Sequence, residues 1–406
     1  MKKGFTLIEL LAVIVILAII ALIAVPIVIN IINDAKEESG IRSIDLYMDA
    51  VEKAIIKQNF KTKYDPDECI IQENSKLKCS KDFEEYPEEL EIDIKGEKAT
   101  SGTIKFEKGK IIKIKYLTLG DNYYRYDDGK VYKTQKPPKE AGLYDDNYNM
   151  LASWDELIST YHLDIDKNYT YSTYAVNDSN SLSMYSVLNN NEILKEGTIL
   201  ILKDGLANIR SYMFFNCKNL KTIILPQTVN FISGDAFANC SNLEEINLPD
   251  SITYIGEAFS GCTSLESIKI PKNLNYIQQY TFSGCSNLKK VIIPNGITSI
   301  GNGAFYYCEN LTNIVIPDSV TRIGQHAFAG CENLKNIIIP NSVNYIGQDA
   351  FWNCNNLNLV IFKNTNGWYL TDYYNTEHID IDVTNPKINA TNLVTKYGSK
   401  YWKRDE

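Results

Sequence analysis

The sequence predicts an α+β protein with a long N-terminal α-helix, a small antiparallel β head and a solenoid of about seven 23-residue coils, capped at each end. An apolar run from Phe5 to Ile32 is long enough to cross a bilayer, which takes about 20 apolar residues in a helix. Residues 59–133 contain short segments of alternating polar and apolar residues, as β-strands do. From about Lys203 to Phe362 the chain repeats itself at a nearly constant step, which indicates a solenoid.

Gly4 lies before the apolar run rather than after it. A secretory signal has its small-residue cleavage site after the apolar core, so a cut after Gly4 would leave the helix on the mature chain. Lys2 and Lys3 precede the run, and the positive-inside rule places them in the cytoplasm and the rest of the chain outside. Glu9 is a carboxylate within the span, which is costly and usually marks a function. Pro26 removes a helix hydrogen bond and predicts a kink.

The run Lys-Gly-Phe-Thr-Leu-Ile-Glu from Lys3 to Glu9 resembles the N-terminus of type IV prepilins. This resemblance implies that residues 1–4 are a leader, that a prepilin peptidase cuts between Gly4 and Phe5, and that Phe5 is then N-methylated. It also implies that Glu9 pairs with the α-amino group of Phe5, in its own or a neighbouring subunit, during filament assembly. The alternative is a plain signal-anchor helix with a tolerated acid.

Apolar residues continue beyond the run at a spacing of three to four, so we expect the helix to cover residues 5–58, with its transmembrane part at 5–32. The pilin resemblance implies that residues 59–133 form a β head on this helix. Cys69 and Cys79 flank a short loop in this exported segment. We expect a disulfide between them, worth about 2–3 kcal/mol, with free thiols as the alternative.

Residues 134–141 form a charged, proline-rich linker, and the repeats follow it. Each repeat has a phenylalanine three residues before a cysteine and a leucine three residues after it. The cysteines recur every twenty-three residues, except for one step of twenty-two from the second to the third, at Cys217, Cys240, Cys262, Cys285, Cys308, Cys331 and Cys354. The pattern closely resembles the BspA-like bacterial surface leucine-rich repeats. This resemblance implies repeats at 203–362, an N-terminal cap at 142–202 and a C-terminal cap at 363–406.

The pattern within a coil predicts which side chains are buried. Leu311 and Ile314 should alternate inward on one strand, and Phe328 should fill the other side of the coil. We expect Asn310 and its equivalents, two residues after each cysteine, to adopt a left-handed conformation in a turn. One cysteine per coil lacks the paired spacing of a zinc site, so we interpret the cysteines as small buried residues and expect no metal.

Two outward-facing columns of side chains are candidate binding surfaces. The position seven residues after the cysteine is apolar in the last four coils, at Ile292, Val315, Ile338 and Ile361. A column near the second edge, interrupted by Ser299 and Arg322, is aromatic at Phe231, Tyr254, Tyr276 and Tyr345. Exposed apolar patches often mark binding sites, and aromatic rings can dock sugars or proteins. The alternative is that both columns reflect strand propensity and stacking between neighbouring coils.

Composition and charge narrow the class of function. A net charge of −9, with no basic block after Lys3, does not indicate a nucleic-acid partner. The three histidines show no triad-like or metal-like spacing, and the sequence has no glycine-rich phosphate loop. We therefore expect neither an enzyme nor a bound cofactor.

These observations together predict a type IV pilin-like surface subunit, minor or at a filament tip, whose repeats mediate adhesion. The expected partners are the membrane, the prepilin peptidase, other pilin subunits through the N-terminal helix, and an extracellular protein or glycan. We expect the chain in the cytoplasmic membrane with its C-terminal domains outside, and in a pilus or at the cell surface after assembly. The alternative is a pseudopilin-type component of a secretion or filament-assembly machine, with the repeats as an accessory.

Overall fold

The structure is a computed structural model, and it describes a defined part of the chain. The described residues are 44, 47–59, 66, 68–72, 76–81, 84–85, 89–91, 99–107, 110–119, 122–127, 130–134, 136, 139–163, 183–189, 191–374 and 376–404. Gly4, Phe5, Glu9, Pro26 and the transmembrane segment 5–32 lie outside them, so these assignments stay predictions. Within the described residues, no helix is long and apolar enough to cross a membrane.

The chain divides into two compact units between Pro137 and Pro138, inside the segment predicted as a linker. The first unit contains a helix α1 (47–59) and one antiparallel sheet. Its strands are β1 (Glu68–Ile71), β2 (Lys76–Lys81), β3 (Glu84–Glu85), β4 (Leu90–Glu91), β5 (Ala99–Glu107), β6 (Lys110–Leu119), β7 (Asn122–Asp127) and β8 (Lys130–Thr134). Their order in the sheet is β3-β2-β1-β5-β6-β7-β8, with β4 also paired to β2.

The core of this first unit lies between the helix and the sheet. Tyr47, Val51 and Ile55 recur at a spacing of four along α1 and are buried with apolar side chains of β1, β2, β5, β6 and β7. The Glu52 carboxylate accepts a hydrogen bond of 3.0 Å from the backbone N–H of Ile111, which ties the helix to β6. Burial raises the pKa of the Tyr47 phenol.

The second unit begins with strands and helices that cover one end of the repeats. They are β9 (Gly142–Tyr144), β10 (Met150–Ser153), α2 (Trp154–Ser159), α3 (Met184–Asn189) and a 3-10 turn at Leu194–Glu196. Ser153 and Glu156 form a reciprocal capping box that starts α2. Strand β9 pairs antiparallel with the first strand of the repeats, and so the parallel ladder starts from a strand that is already paired.

The repeats form a solenoid of seven coils, which we number by their cysteines from coil 1 at Cys217 to coil 7 at Cys354. Two ladders of short strands, parallel within the array, run along it. The first comprises β11 (Ile199–Ile201), β13 (Thr222–Ile224), β15 (Glu245–Asn247), β17 (Ser267–Lys269), β19 (Lys290–Ile292), β22 (Asn336–Ile339) and β24 (Leu359–Phe362). The second comprises β12 (Asn208–Ile209), β14 (Phe231–Ile232), β16 (Tyr254–Ile255), β18 (Tyr276–Ile277), β20 (Ser299–Ile300), β21 (Arg322–Ile323) and β23 (Tyr345–Ile346).

One continuous core fills the solenoid. The phenylalanine of each coil is buried and stacks on its neighbours, with ring centroids 5.1–5.6 Å apart along the seven coils. Leu311, Ile314 and Phe328 are buried, as the repeat pattern predicts. Apolar burial in every coil is the main source of stability in such an array, because no single coil encloses a core of its own.

The left-handed positions differ from the expectation. Asn310 does not have a positive φ; its side-chain amide instead donates to Asn287 Oδ1 of the preceding coil at 3.2 Å. The residue directly before the cysteine is left-handed in every coil, as Asn239 is before Cys240, and six coils have a second left-handed residue five positions before the cysteine, such as Tyr280 before Cys285. The prediction was wrong because an asparagine amide can also bridge stacked coils, and here that role sets its position.

A second group of elements closes the other end of the solenoid. They are β25 (Trp368–Thr371), β26 (Ile379–Asp380), α4 (Pro386–Thr391), a π turn at Asn392–Lys396 and β27 (Tyr401–Arg404). Strand β27 pairs antiparallel with β23, which ends the second parallel ladder. The buried Asn389 amide of α4 donates to the backbone oxygens of Val360 and Val383, so it satisfies carbonyls at the end of the core.

Candidate binding surface on the repeat array

Strand alternation turns the residue seven positions after each cysteine outward. Val315 is 72% exposed, Ile338 48% and Ile361 43%, whereas Ile292 is half-buried. Ile338 lies directly opposite Ile361 in the parallel register of β22 and β24. We call these four residues the apolar column. The structure places all four on the outward side of coils 4 to 7.

Coil 5 is irregular where the apolar column crosses it. Residues 312–317 form no strand, although Ile314 and Ile316 are still buried and Val315 still points outward. The first ladder is therefore divided here, into a β17-β19 pair and a β22-β24 pair. Val315 consequently has the largest exposed fraction in the column, since no paired strand surrounds it.

Polar side chains border the apolar column on the side nearer the cysteines. Lys335 and Asn336 are exposed in coil 6, and Lys289 in coil 4 makes an ion pair of 3.1 Å with Glu266. An apolar strip beside a polar and basic rim is the usual anatomy of a protein-binding patch. The arrangement can therefore bury apolar side chains of a partner and hold its register through the rim.

The aromatic column has a different geometry. Phe231 and Tyr254 stack face to face, with centroids 4.5 Å apart and planes 9° apart. The Arg322 guanidinium lies 3.6 Å from the centroid of the Tyr345 ring, a cation–π contact. Tyr276, in the same register, is half-buried. One ring face each of Phe231, Tyr254 and Tyr345 is thus covered by a neighbouring coil, which favours stacking along the solenoid over a flat sugar-binding platform.

The closing strands extend this second column beyond the repeats. Lys403 of β27 lies opposite both Tyr345 and Tyr369 in the antiparallel register, and the Tyr369 ring stacks on His378 at 4.1 Å. Sequence reasoning missed this extension, because the closing strands do not share the period of the repeats. Tyr373 and Tyr374, in the turn after β25, are highly exposed and were also missed. Two consecutive tyrosines directly after a short strand were the sequence signal that could have indicated this exposed pair.

The cysteines are structural. All seven cysteines of the repeats are buried free thiols. From coil 2 onward, each thiol donates to the backbone oxygen of the phenylalanine in the preceding coil, as Cys308 does to Phe282 at 3.2 Å. Burial raises the pKa of Cys240 to about 12, so the thiol stays protonated and can donate. Within the described residues, no group of three or more side chains could hold a metal ion.

In the first unit, Cys69 and Cys79 lie opposite one another in the antiparallel register of β1 and β2, and their sulfurs are joined. The other predicted site residues, Gly4, Phe5, Glu9 and Pro26, are outside the described part of the chain. Of the predicted site residues, the structure therefore aligns the apolar column within the second unit and, separately, joins Cys69 to Cys79 within the first unit.

Stacked coils with two strand ladders and a shared leucine and phenylalanine core define a leucine-rich-repeat solenoid. The family model described as "BspA type Leucine rich repeat region" matches six copies over residues 194–308 and 257–380. The model described as "Prokaryotic N-terminal methylation motif" matches residues 1–25. This chain therefore joins an N-terminal methylation motif to BspA-type leucine-rich repeats.

Three solved structures are similar to part of the chain. A leucine-rich repeat protein of T. pallidum is 32% identical, with 39% of this chain and 77% of that chain covered and a TM-score of 0.37. One from Bacteroides ovatus is 24% identical, with 61% and 71% covered and a TM-score of 0.34. A leucine-rich cell surface protein of Faecalibacterium prausnitzii is 23% identical, with 60% and 76% covered and a TM-score of 0.35. None of the curated proteins matches the chain.

Proposed function

We propose that the protein is a type IV pilin-like surface subunit, minor or at a filament tip, whose repeats bind an extracellular protein. The methylation motif at residues 1–25 supports the pilin-like part, and the repeats support surface display. The helix and antiparallel sheet at 47–134 are then the pilin head, and residues 5–32 anchor the chain in the cytoplasmic membrane before assembly. The partners of the N-terminal helix are other pilin subunits, after a prepilin peptidase has cut at Gly4.

The apolar column carries the binding proposal. Val315, Ile338 and Ile361 are β-branched side chains that are still 43–72% exposed, so their complete burial by a partner would stabilise a complex by roughly 1–2 kcal/mol each. Large apolar side chains aligned in successive coils form one strip rather than scattered exposed residues. A protein partner fits this strip better than a glycan, because the strip is aliphatic and the aromatic rings lie in the other column, where one face of Phe231, Tyr254 and Tyr345 is already covered.

A substitution in the apolar column tests the binding proposal. Ile338→Asp places a charge at the centre of the strip and should abolish adhesion to host cells or matrix. Lys269→Asp is the matched control, because Lys269 is also exposed and seven residues after its cysteine but lies outside the strip, and it should leave adhesion unchanged. Surface antibody binding establishes that both variants are displayed. Full adhesion by displayed Ile338→Asp would refute the role of the column.

The size of the second unit supports a minor or tip position in the filament. Residues 142–406 are about twice as many as residues 5–133, so a filament built only from this chain would have to accommodate a large second unit on every subunit. A sparsely placed subunit avoids that crowding. We expect quantitative proteomics of sheared fibres to find this chain well below a smaller major pilin. Its appearance as the dominant component would contradict the proposal.

The pseudopilin alternative remains a second candidate, because the methylation motif concerns only the first 25 residues. A pseudopilin would prime or drive a secretion machine, with the repeats as an accessory. Immunogold labelling of the repeats on intact cells distinguishes the two. Label along or at the end of extended fibres supports adhesion, and label confined to the cell envelope supports the secretion machine.

A further inference from the structure

The solenoid is interrupted at one place along both ladders. In the first ladder, β15 ends one sheet and β17 begins another, and in the second ladder β16 and β18 are separated in the same way. Both breaks lie between coils 2 and 3. The other interruption, at coil 5, affects only the first ladder, because β20, β21 and β23 stay paired through it.

The missing hydrogen bonds can be identified by comparing equivalent amides. Thr253, Thr298 and Thr321 each donate a backbone N–H to the preceding coil at 2.8–2.9 Å, and Asn275 is their equivalent in coil 3. Gly256, Gly301, Gly324 and Gly347 each donate to the isoleucine oxygen of the preceding coil at 2.8–2.9 Å, and Gln278 is their equivalent. Within the fully described repeats, the structure gives neither Asn275 nor Gln278 a backbone bond of this kind.

Two sequence features account for this break. Three residues, Gly256 to Ala258, connect β16 to the next phenylalanine, whereas the corresponding segment has four residues in the other coils, and this is the origin of the 22-residue step. The residue that follows the second-ladder strand is also changed. A Cβ on Gly301 or Gly324 would come within 2.7 Å of the preceding coil's backbone, so close approach there favours glycine. Gln278 occupies that position in coil 3, whereas coils 2, 4, 5 and 6 have glycine there.

We call the place where both ladders break, between coils 2 and 3, the joint. Its two sides stay connected along the turns that carry the phenylalanines. Phe237 donates to the Ala258 oxygen at 2.9 Å, Asn239 donates to the Ser260 oxygen at 2.7 Å, and the Phe237 and Phe259 rings stack at 5.3 Å. Where the second ladder is unpaired, side chains form most of the links. The buried Thr281 hydroxyl donates to the Gly256 oxygen at 3.1 Å, and the other links are exposed. The Asp250 carboxylate contacts the Lys272 ammonium at 3.0 Å, and the Gln279 amide donates to Glu257 at 2.7 Å. Long exposed side chains hold a geometry less tightly than backbone ladders do.

We propose that the joint between coils 2 and 3 is a hinge, about which coils 1–2 and coils 3–7 move as two rigid blocks. The pivot is formed by the hydrogen-bonded turns that carry Phe237 and Phe259, and the motion changes the distance between β16 and β18. The apolar column belongs entirely to the second block. A hinge at this place lets the apolar column reorient without unfolding any coil. The hinge proposal does not depend on the proposed adhesion.

Hydrogen exchange on the unaltered full-length chain tests the missing backbone pairing on which the hinge depends. The amides of Asn275 and Gln278 should exchange at least about tenfold faster than those of Thr298 and Gly301, their equivalents one coil later, because only the second pair donates to the backbone of the preceding coil. Equal exchange at the two pairs of positions would overturn the proposal.

A distance measurement provides an independent test. Labels at Asn230 and Thr298 span three coils across the joint, and labels at Asn275 and Asn344 span three coils within the second block. Introduced as noncanonical amino acids, these labels leave the buried cysteines unmodified. The distance distribution across the joint should be at least about twice as broad as the one within the block, as expected for hinged motion between rigid bodies. Equal widths would show that the solenoid is one rigid body.

A repaired variant completes the test. Insertion of one residue after Gly256, combined with Gln278→Gly, restores both the 23-residue step and the small residue. Exchange at residues 275 and 278 should then slow to the rates of Thr298 and Gly301, and persistent fast exchange in a folded repaired chain would refute the cause assigned here. If the repaired chain does not fold, the two measurements on the unaltered sequence still decide the question.

Discussion

The stacked phenylalanines predict a position-dependent cost for a conservative substitution. Phe305 is fully buried with a ring on each side, Phe282 at 5.6 Å and Phe328 at 5.4 Å. Phe351, at the end of the column, is equally buried but has a ring only on one side, Phe328 at 5.4 Å. Replacement of each by leucine removes similar volume and burial from both sites. The main difference between the two variants is therefore that Phe305→Leu breaks two stacked ring pairs and Phe351→Leu breaks one.

The magnitude follows from the number of stacked pairs that each substitution breaks. A stacked aromatic pair contributes about 0.5–1.5 kcal/mol beyond the area it buries, so Phe305→Leu should lose about 1–3 kcal/mol of pair energy and Phe351→Leu about half as much. Nearest-neighbour coupling in a solenoid makes such local terms roughly additive. We therefore expect the free energy of unfolding to fall further for Phe305→Leu by about one pair contribution.

Urea unfolding followed by tryptophan fluorescence measures this difference. The four tryptophans are Trp154, Trp352, Trp368 and Trp402, so the signal comes from the second unit alone. Equal losses for the two variants, or a larger loss for Phe351→Leu, would refute the idea that ring stacking stabilises the column. A changed slope of the transition would instead show that the variant no longer unfolds as one unit.

Three further predictions concern processing, thiols and the helix α2. Mass spectrometry of the mature chain should find a methylated Phe5 at the N-terminus; a retained Met1 would contradict the pilin-like assignment. A thiol reagent should modify no cysteine in the native chain and seven in denaturant, because the thiols of the repeats are buried and Cys69 is bonded to Cys79; rapid native labelling would contradict this packing. Ser153→Ala should destabilise α2 by about 0.5–2 kcal/mol, seen as faster amide exchange confined to that helix. Hydrogen bonds from Ser153 lower the pKa of Glu156, so its contribution is present above the usual glutamate pKa and is lost as the pH falls through the lowered value; α2 exchange that is insensitive to acid would refute this.

Repetition made much of the solenoid predictable. The inward positions of Leu311, Ile314 and Phe328, and the outward position of Val315, follow from a pattern repeated seven times, because each coil must bury the same face. The cysteines were correctly interpreted as small buried residues for the same reason. Their role as donors to the phenylalanine oxygens was not predictable, because it depends on a contact between coils some 26 residues apart.

The number of coils, their core and the position of the shortened step from Cys240 to Cys262 follow from the amino-acid sequence, because all three are local and periodic. Contacts between coils required the three-dimensional structure: Asn310 bridges coils instead of adopting a left-handed turn, and the rings of Phe231 and Tyr254 cover one another. The structure also places the separation of both ladders at the shortened step. The physical reason is that pairing between coils depends on how closely two backbones approach, and a Cβ such as that of Gln278 changes this distance without altering the period of the sequence.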